Sequence, residues 1–84
     1  TVEAVLEKTA DDQCAIMVHV LENNMDPDVT NYRVRLVQGD YEVESYLTEQ
    51  GTVRFESVPP GEFCIEILKS NRLCGKIYLQ LELT

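Results

Sequence analysis

The chain has 84 residues, enough for one domain, and a formal net charge of −8. Its seven Lys and Arg face fifteen Asp and Glu, a balance that disfavours phosphate backbones and anionic membrane surfaces, which attract cations. No apolar run is long enough to insert across a membrane as a helix. Thr1-Val2-Glu3 lacks the basic region and apolar stretch of a secretion signal, and the chain opens without Met, so it reads as a piece of a larger protein.

Apolar residues recur at every second position in segment after segment, the signature of half-buried strands. A first strand is expected over Thr1 to Lys8 and a second over Gln13 to Glu22. In the second, Cys14, Ile16, Val18 and Val20 share one face, and Ala15, Met17, His19 and Leu21 the other. Both faces are rather apolar, so this strand is expected at the centre of a sheet or partly covered outside. Asn23 to Asp28 reads as a loop, since Asn, Asp and Pro favour turns.

A two-residue turn at Gln38-Gly39 predicts a hairpin with Val37 opposite Asp40, Leu36 opposite Tyr41 and Val34 opposite Val43. On the reverse face Arg35 then meets Glu42 and Arg33 meets Glu44, so apolar matches apolar and acid matches base. Glu49-Gln50-Gly51 suits a three-residue turn with Gly in the left-handed position. That register sets Leu47 opposite Val53 and Ser45 opposite Phe55.

Val58-Pro59-Pro60-Gly61 ends the fifth strand, with Pro60-Gly61 fitting the centre of a type II turn. The sixth strand, Glu62 to Lys69, points Phe63, Ile65 and Ile67 inward. The seventh, Leu73 to Leu83, points Ile77, Leu79, Leu81 and Leu83 inward. A loop at Ser70-Asn71-Arg72 pairs Ile65 with Ile77, Glu66 with Lys76, Cys64 with Tyr78 and Leu68 with Cys74. Seven short strands with regular turn signals predict an all-β sandwich of two sheets and a single domain over residues 1–84.

The cysteines are Cys14, Cys64 and Cys74, an odd number that cannot close completely into internal disulfides. In the predicted register Cys64 and Cys74 stand about four residues apart, at ~3.3 Å each, too far for a bond whose Cα atoms lie within roughly 7 Å. Three free thiols are expected, which favours a reducing, cytoplasmic compartment.

The stretch Thr48-Glu49-Gln50-Gly51, Val53, Phe55, then Val58-Pro59-Pro60-Gly61-Glu62-Phe63 resembles the Thr-Asp-x-x-Gly, x-Phe, Leu-Pro-Pro-Gly-x-Tyr pattern of carboxypeptidase regulatory-like domains. These domains are similar in fold to transthyretin-like (prealbumin-like) domains and to the B-type repeats of collagen adhesins. Glu49 stands where Asp is usual and Phe63 where Tyr is usual, and the family's early Gly-rich hairpin is replaced by Asn23-Asn24-Met25-Asp26-Pro27-Asp28. Leu73-Cys74-Gly75-Lys76-Ile77 resembles the end of such modules attached to bacterial regulatory proteins. The resemblance implies a seven-stranded antiparallel immunoglobulin-like or transthyretin-like sandwich, a bacterial parent protein and an extracytoplasmic setting. It reports fold more than function.

Residue chemistry gives no candidate catalytic centre. His19, the only histidine, lies in mid-strand with Cys14 predicted on the opposite face, so no Cys-His pair forms. The cysteines lack the short spacings of a zinc site. Asn24, Asp26 and Asp28 match the start of an EF-hand loop, but Val29 and Arg35 stand where Gly and Glu are required. That leaves a polar turn, or a looser calcium site with Asp11 or Asp12. Glu42 and Glu44 read as partners of Arg35 and Arg33 rather than as hydrolytic carboxylates. An adhesin-type isopeptide bond from Lys8 lacks an Asn in the last strand. No enzyme activity, cofactor or metal is expected.

What remains is an outward apolar set, Met17, His19, Leu21, Cys64, Leu68 and Tyr78, which would merge into a partner face if the second strand lay near the last hairpin. The expected function is a non-catalytic interaction or spacer module whose partner is a protein or a neighbouring domain. The alternative is an extracellular adhesive or carbohydrate-binding module, with Tyr46 and Tyr78 as outward rings.

Overall fold

The computed structural model describes residues 2–10, 12–20 and 32–82. Those residues form seven strands: β1 (Val2–Ala10), β2 (Gln13–Val20), β3 (Arg33–Gln38), β4 (Tyr41–Leu47), β5 (Thr52–Val58), β6 (Gly61–Lys69) and β7 (Arg72–Leu81). They build a three-stranded sheet, β1-β2-β5, and a four-stranded sheet, β4-β3-β6-β7. Every pairing is antiparallel.

Alternation decides which side chains are buried. Cys14, Ile16, Val18 and Val20 of β2, with Val53, Phe55 and Val58 of β5, meet Val34 and Leu36 of β3 and Phe63, Ile65 and Ile67 of β6. Phe55, Ile16, Val18, Val34, Leu36 and Ile65 are fully buried. Each such aliphatic or aromatic side chain contributes roughly 1.5–3 kcal/mol of transfer free energy. The strand β2 is central, as its two apolar faces predict, with β1 on one side and β5 on the other.

The β3–β4 hairpin corrects the expected register. The turn is Gly39-Asp40, not Gln38-Gly39: Gln38 lies opposite Tyr41 and Val37 opposite Glu42. Gly39 has φ +59, a left-handed conformation that glycine takes without a Cβ penalty, and this fixes it as the first central residue of the turn. A bulge between Leu36 and Val37 then leaves Val43 without an opposite residue, and beyond it Leu36 faces Glu44, Val34 faces Tyr46 and Arg33 faces Leu47. Arg33 therefore does not meet Glu44; its Nη1 donates to Ser45 Oγ at 2.8 Å. The Arg35–Glu42 pair survives, at 2.8 Å.

The two neighbouring turns are also tighter than expected. Glu49 and Thr52 exchange backbone hydrogen bonds of 3.1 and 3.0 Å, so the turn is Gln50-Gly51 alone, with φ +51 and +78. This turn carries the chain from one sheet to the other: β4 pairs with β3, whereas β5 pairs with β2. Leu47 and Val53 are thus not partners, nor are Ser45 and Phe55, and Leu47 is left 54% exposed. Ser70-Asn71 is likewise a two-residue turn, with φ +52 and +65, because Lys69 pairs with Arg72. Leu68 faces Leu73, and Cys74 becomes the extra residue of a bulge.

From Ile67–Gly75 onward the β6–β7 register runs as expected, with Glu66 opposite Lys76, Ile65 opposite Ile77 and Cys64 opposite Tyr78. Gly61 has φ +145 and already pairs with Leu81. It starts β6 rather than filling the type II turn position, which needs φ near +80°. Cys14, Cys64 and Cys74 are all free thiols.

Candidate docking face

Because Val34, Leu36, Phe63, Ile65 and Ile67 point into the core, the alternate residues of β3 and β6 point outward from the four-stranded sheet. Register then lines them up in three transverse rows. The central row is ionic. Arg35 lies opposite Glu66, and Glu66 opposite Lys76. Arg35 Nε meets Glu42 Oε1 at 2.8 Å, Arg35 Nη1 meets Glu66 Oε1 at 2.9 Å and Lys76 Nζ meets Glu66 Oε2 at 3.6 Å. Four strands are thus tied by alternating charge, two acids and two bases.

On each side of this row the face is largely apolar. One flank is Val37, Cys64 and Tyr78 in direct register, ending on β4 at Glu42, which reaches across to Arg35. The other is Leu47, Arg33, Leu68 and Leu73, again in register. Tyr78 is 77% exposed and Leu73 52% exposed, while Val37, Cys64 and Leu68 are half-buried. Outward apolar residues aligned in rows like these mark a contact site more often than scattered ones do.

Of the six residues expected to share a partner face, Cys64, Leu68 and Tyr78 belong to this surface. Met17 and His19 do not. They lie on β2, whose core residues point at the four-stranded sheet, so both face away from it on the opposite side of the sandwich. The expected single face is therefore divided, because β2 and the last hairpin sit in different sheets. Leu21 lies outside the described residues, as do Asn24, Asp26 and Asp28. Sequence reading missed Val37, Leu47 and Leu73. Leu73 had a legible signal, an apolar residue beside a tight turn; Leu47 was assigned inward by the wrong partner strand.

The other outer face is polar. His19 Nδ1 lies 3.1 Å from Thr52 Oγ1, and Arg54 bridges Glu56 at 3.1 Å and Glu7 at 3.7 Å. Cys14 is on the opposite face of His19's strand, buried among the core side chains, and burial pushes its thiol pKa up. A thiol held neutral and turned away from the imidazole is not an activated nucleophile. Among the described residues no group of three or more His, Cys, Asp or Glu is placed to hold a metal ion. Tyr46, expected outward, tilts instead toward Phe55, ring centroids 5.7 Å apart, and donates its hydroxyl to Glu44 at 2.9 Å. That hydrogen bond and the carboxylate's charge raise its pKa.

Between the sheets, along the β1–β7 side, a cleft of about 510 Å³ is lined by Leu6, Lys8, Cys14, Gln80, Leu81 and Glu82. Most of its lining comes from the β1 and β7 ends of the two sheets, with Cys14 of the central strand β2 beside them.

No family model, curated protein or solved structure matches the chain. What bears on function is the chain's own geometry.

Proposed function

We propose that the chain is a non-catalytic interaction or spacer module of a larger protein, an immunoglobulin-like sandwich that docks a neighbouring domain or a protein partner on the outer face of its four-stranded sheet. The observation that carries this reading is the layout of that face: Val37, Cys64 and Tyr78 on one side, and Leu47, Leu68 and Leu73, interrupted by Arg33, on the other, flanking the paired charges of Glu42, Arg35, Glu66 and Lys76. The apolar rows supply area to remove from water. The ionic row is internally paired, so covering it leaves few charges without a partner. The resemblance of Thr48 to Phe63 to carboxypeptidase regulatory-like domains supports the same reading, since those domains are appended sandwiches rather than catalytic units.

The test is side-chain footprinting of the chain alone and within its parent protein. Leu68, Leu73 and Tyr78 are expected to lose hydroxyl-radical labelling in the parent, and Cys64 to lose thiol alkylation, while Met17 keeps its labelling. Equal labelling of the first four residues in both settings overturns the proposed face.

A further inference from the structure

The strand β7 is hydrogen-bonded to β6 on one side only and forms an edge of the four-stranded sheet. Among the described residues no strand pairs with its other side, and such an edge presents backbone donors and acceptors that proteins usually guard with a bulge, a proline or unfavourable charges. The other edges have such guards. The strand β4 is bulged at Val43. The strand β5 carries Ser57 at φ +58, within an irregular register. The outward positions Glu3, Val5 and Glu7 of β1 offer acids and no base. The strand β7 has its own bulge, at Cys74, but from Gly75 to Leu81 it runs in unbroken register and contains no proline.

Side-chain order along β7 is also self-complementary. Laid antiparallel against a second copy about a two-fold axis at Leu79, the strand sets Leu79 opposite the partner's Leu79. Ile77 then faces the partner's Leu81, and Tyr78 the partner's Gln80. Lys76 faces the partner's Glu82, and symmetry repeats this ion pair at the other end. Gln80 Nε2 donates to Glu82 Oε1 at 3.1 Å, which places Glu82 on the same outer face as Lys76. Apolar residues meet on the inner face and opposite charges on the outer, the pattern expected of a true pairing.

Packing gives a second, independent reason. Leu6 points between the sheets but is 50% exposed, and Ile77 and Leu79 are only partly buried. The cleft lined by Leu6 and Leu81 has residues of β1 and β7, an edge strand of each sheet, on its walls. A second β7 laid beside the first would bring its own inward Ile77 and Leu81 across that cleft. We propose that two copies of the chain pair through β7 to form a continuous eight-stranded sheet that closes this cleft. Each copy carries a charge of −8, which opposes association at low salt; at 0.15 M the field is screened beyond roughly 8 Å, while backbone pairing is unaffected.

Sedimentation equilibrium at 0.15 M salt tests this. The wild-type chain is expected to show a monomer–dimer equilibrium. Glu82→Lys, at an exposed position beyond the end of β7, sets Lys against Lys twice and is expected to weaken the dimer at least ~10-fold. Lys76→Glu combined with Glu82→Lys restores opposite charges and is expected to return the dimer to within ~3-fold of wild type. Leu68→Lys, on β6 and away from the edge, leaves dimerisation unchanged while abolishing docking on the outer face, so this inference and the proposed function fail separately. A monomer at all concentrations to ~1 mM, or a dimer indifferent to Glu82→Lys, overturns the pairing.

Discussion

Tyr32 and Thr48 hold each other by two hydrogen bonds. Thr48 N donates to Tyr32 O at 2.8 Å, and Tyr32 N donates to Thr48 Oγ1 at 3.1 Å. Thr48 is the one buried polar side chain among the described residues, 4% exposed, and it sits where the chain leaves β4 for the opposite sheet. Thr48→Val keeps the shape and removes the acceptor, leaving the Tyr32 N–H without a partner. The expected loss is about 1–3 kcal/mol in urea unfolding, with Thr48→Ser retaining most of the stability. A Thr48→Val chain as stable as wild type would show that the hydroxyl is not needed at this corner.

Gly39 is a cleaner case. A Cβ there would meet nothing within 4 Å, so the cost of a substitution is backbone strain alone. At φ +59, Gly39→Ala is expected to destabilise by about 1–2 kcal/mol, and Gly39→Val by more, because β-branching resists positive φ. Gly39→Asn is expected to cost least, since Asn tolerates the left-handed region. Thermal melts of the three variants give the order directly; any other ranking counts against the turn.

Arg35 has two carboxylate partners, of which Glu66 is the more enclosed, 16% exposed against 47% for Glu42. Exposed pairs contribute little, about 0–1 kcal/mol. Arg35→Met leaves the sheltered Glu66 with Lys76 alone, so its expected cost is somewhat higher, about 1–2 kcal/mol. The cost should shrink in the double variant Arg35→Met/Glu66→Gln. Additive losses in that cycle would mean that the two side chains do not act together.

The three cysteines should separate by accessibility. Cys74 is exposed, Cys64 half-buried and Cys14 buried. An aromatic disulfide reagent is expected to titrate Cys74 first, Cys64 more slowly and Cys14 only on unfolding. Because burial raises the Cys14 pKa, the folded state holds that proton more tightly than the unfolded chain. The stabilisation is complete below the unfolded thiol's pKa of about 8.5 and is lost as pH rises toward the higher folded value. Cys14→Ala should flatten this alkaline decline; an unchanged slope would assign it to other groups.

Docking and folding can be told apart at Leu68 and Met17. Leu68→Lys places charge in the apolar flank, and Met17→Lys places it on the opposite side of the sandwich. Both are expected to leave stability within about 1 kcal/mol, while only Leu68→Lys is expected to weaken binding of the proposed partner. Loss of binding in both variants, or in neither, argues against the assigned face.

Strand identity and inward faces were legible because two-residue alternation depends only on local pleating. The faces of β2, β6 and β7 follow directly from Cys14–Val20, Phe63–Ile67 and Ile77–Leu81. Register was less legible, because a bulge is a negotiation between two strands. Nothing local to Val43 or Cys74 marks either as an extra residue: the first shifts the β3–β4 pairings beyond it, and the second offsets the tighter Ser70-Asn71 turn. Sheet membership was least legible: Gln50-Gly51 reads as a hairpin turn and does have hairpin hydrogen bonds, yet the strands it joins belong to different sheets. Met17 and His19 were therefore joined to a face of the other sheet, since Met17 and Cys64 share a pattern but not a surface.

The switch of β5 to β2 sets an order of events for folding. The β3–β4 and β6–β7 hairpins close over two-residue turns, which favours their formation within microseconds. The β2–β5 ladder joins residues no closer in sequence than His19 and Thr52, 33 positions apart, and such long loops close only after a larger entropic loss. The β2–β5 ladder is thus expected to form after the local hairpins, and substitutions at Ile16 or Val53 should speed unfolding more than they slow folding.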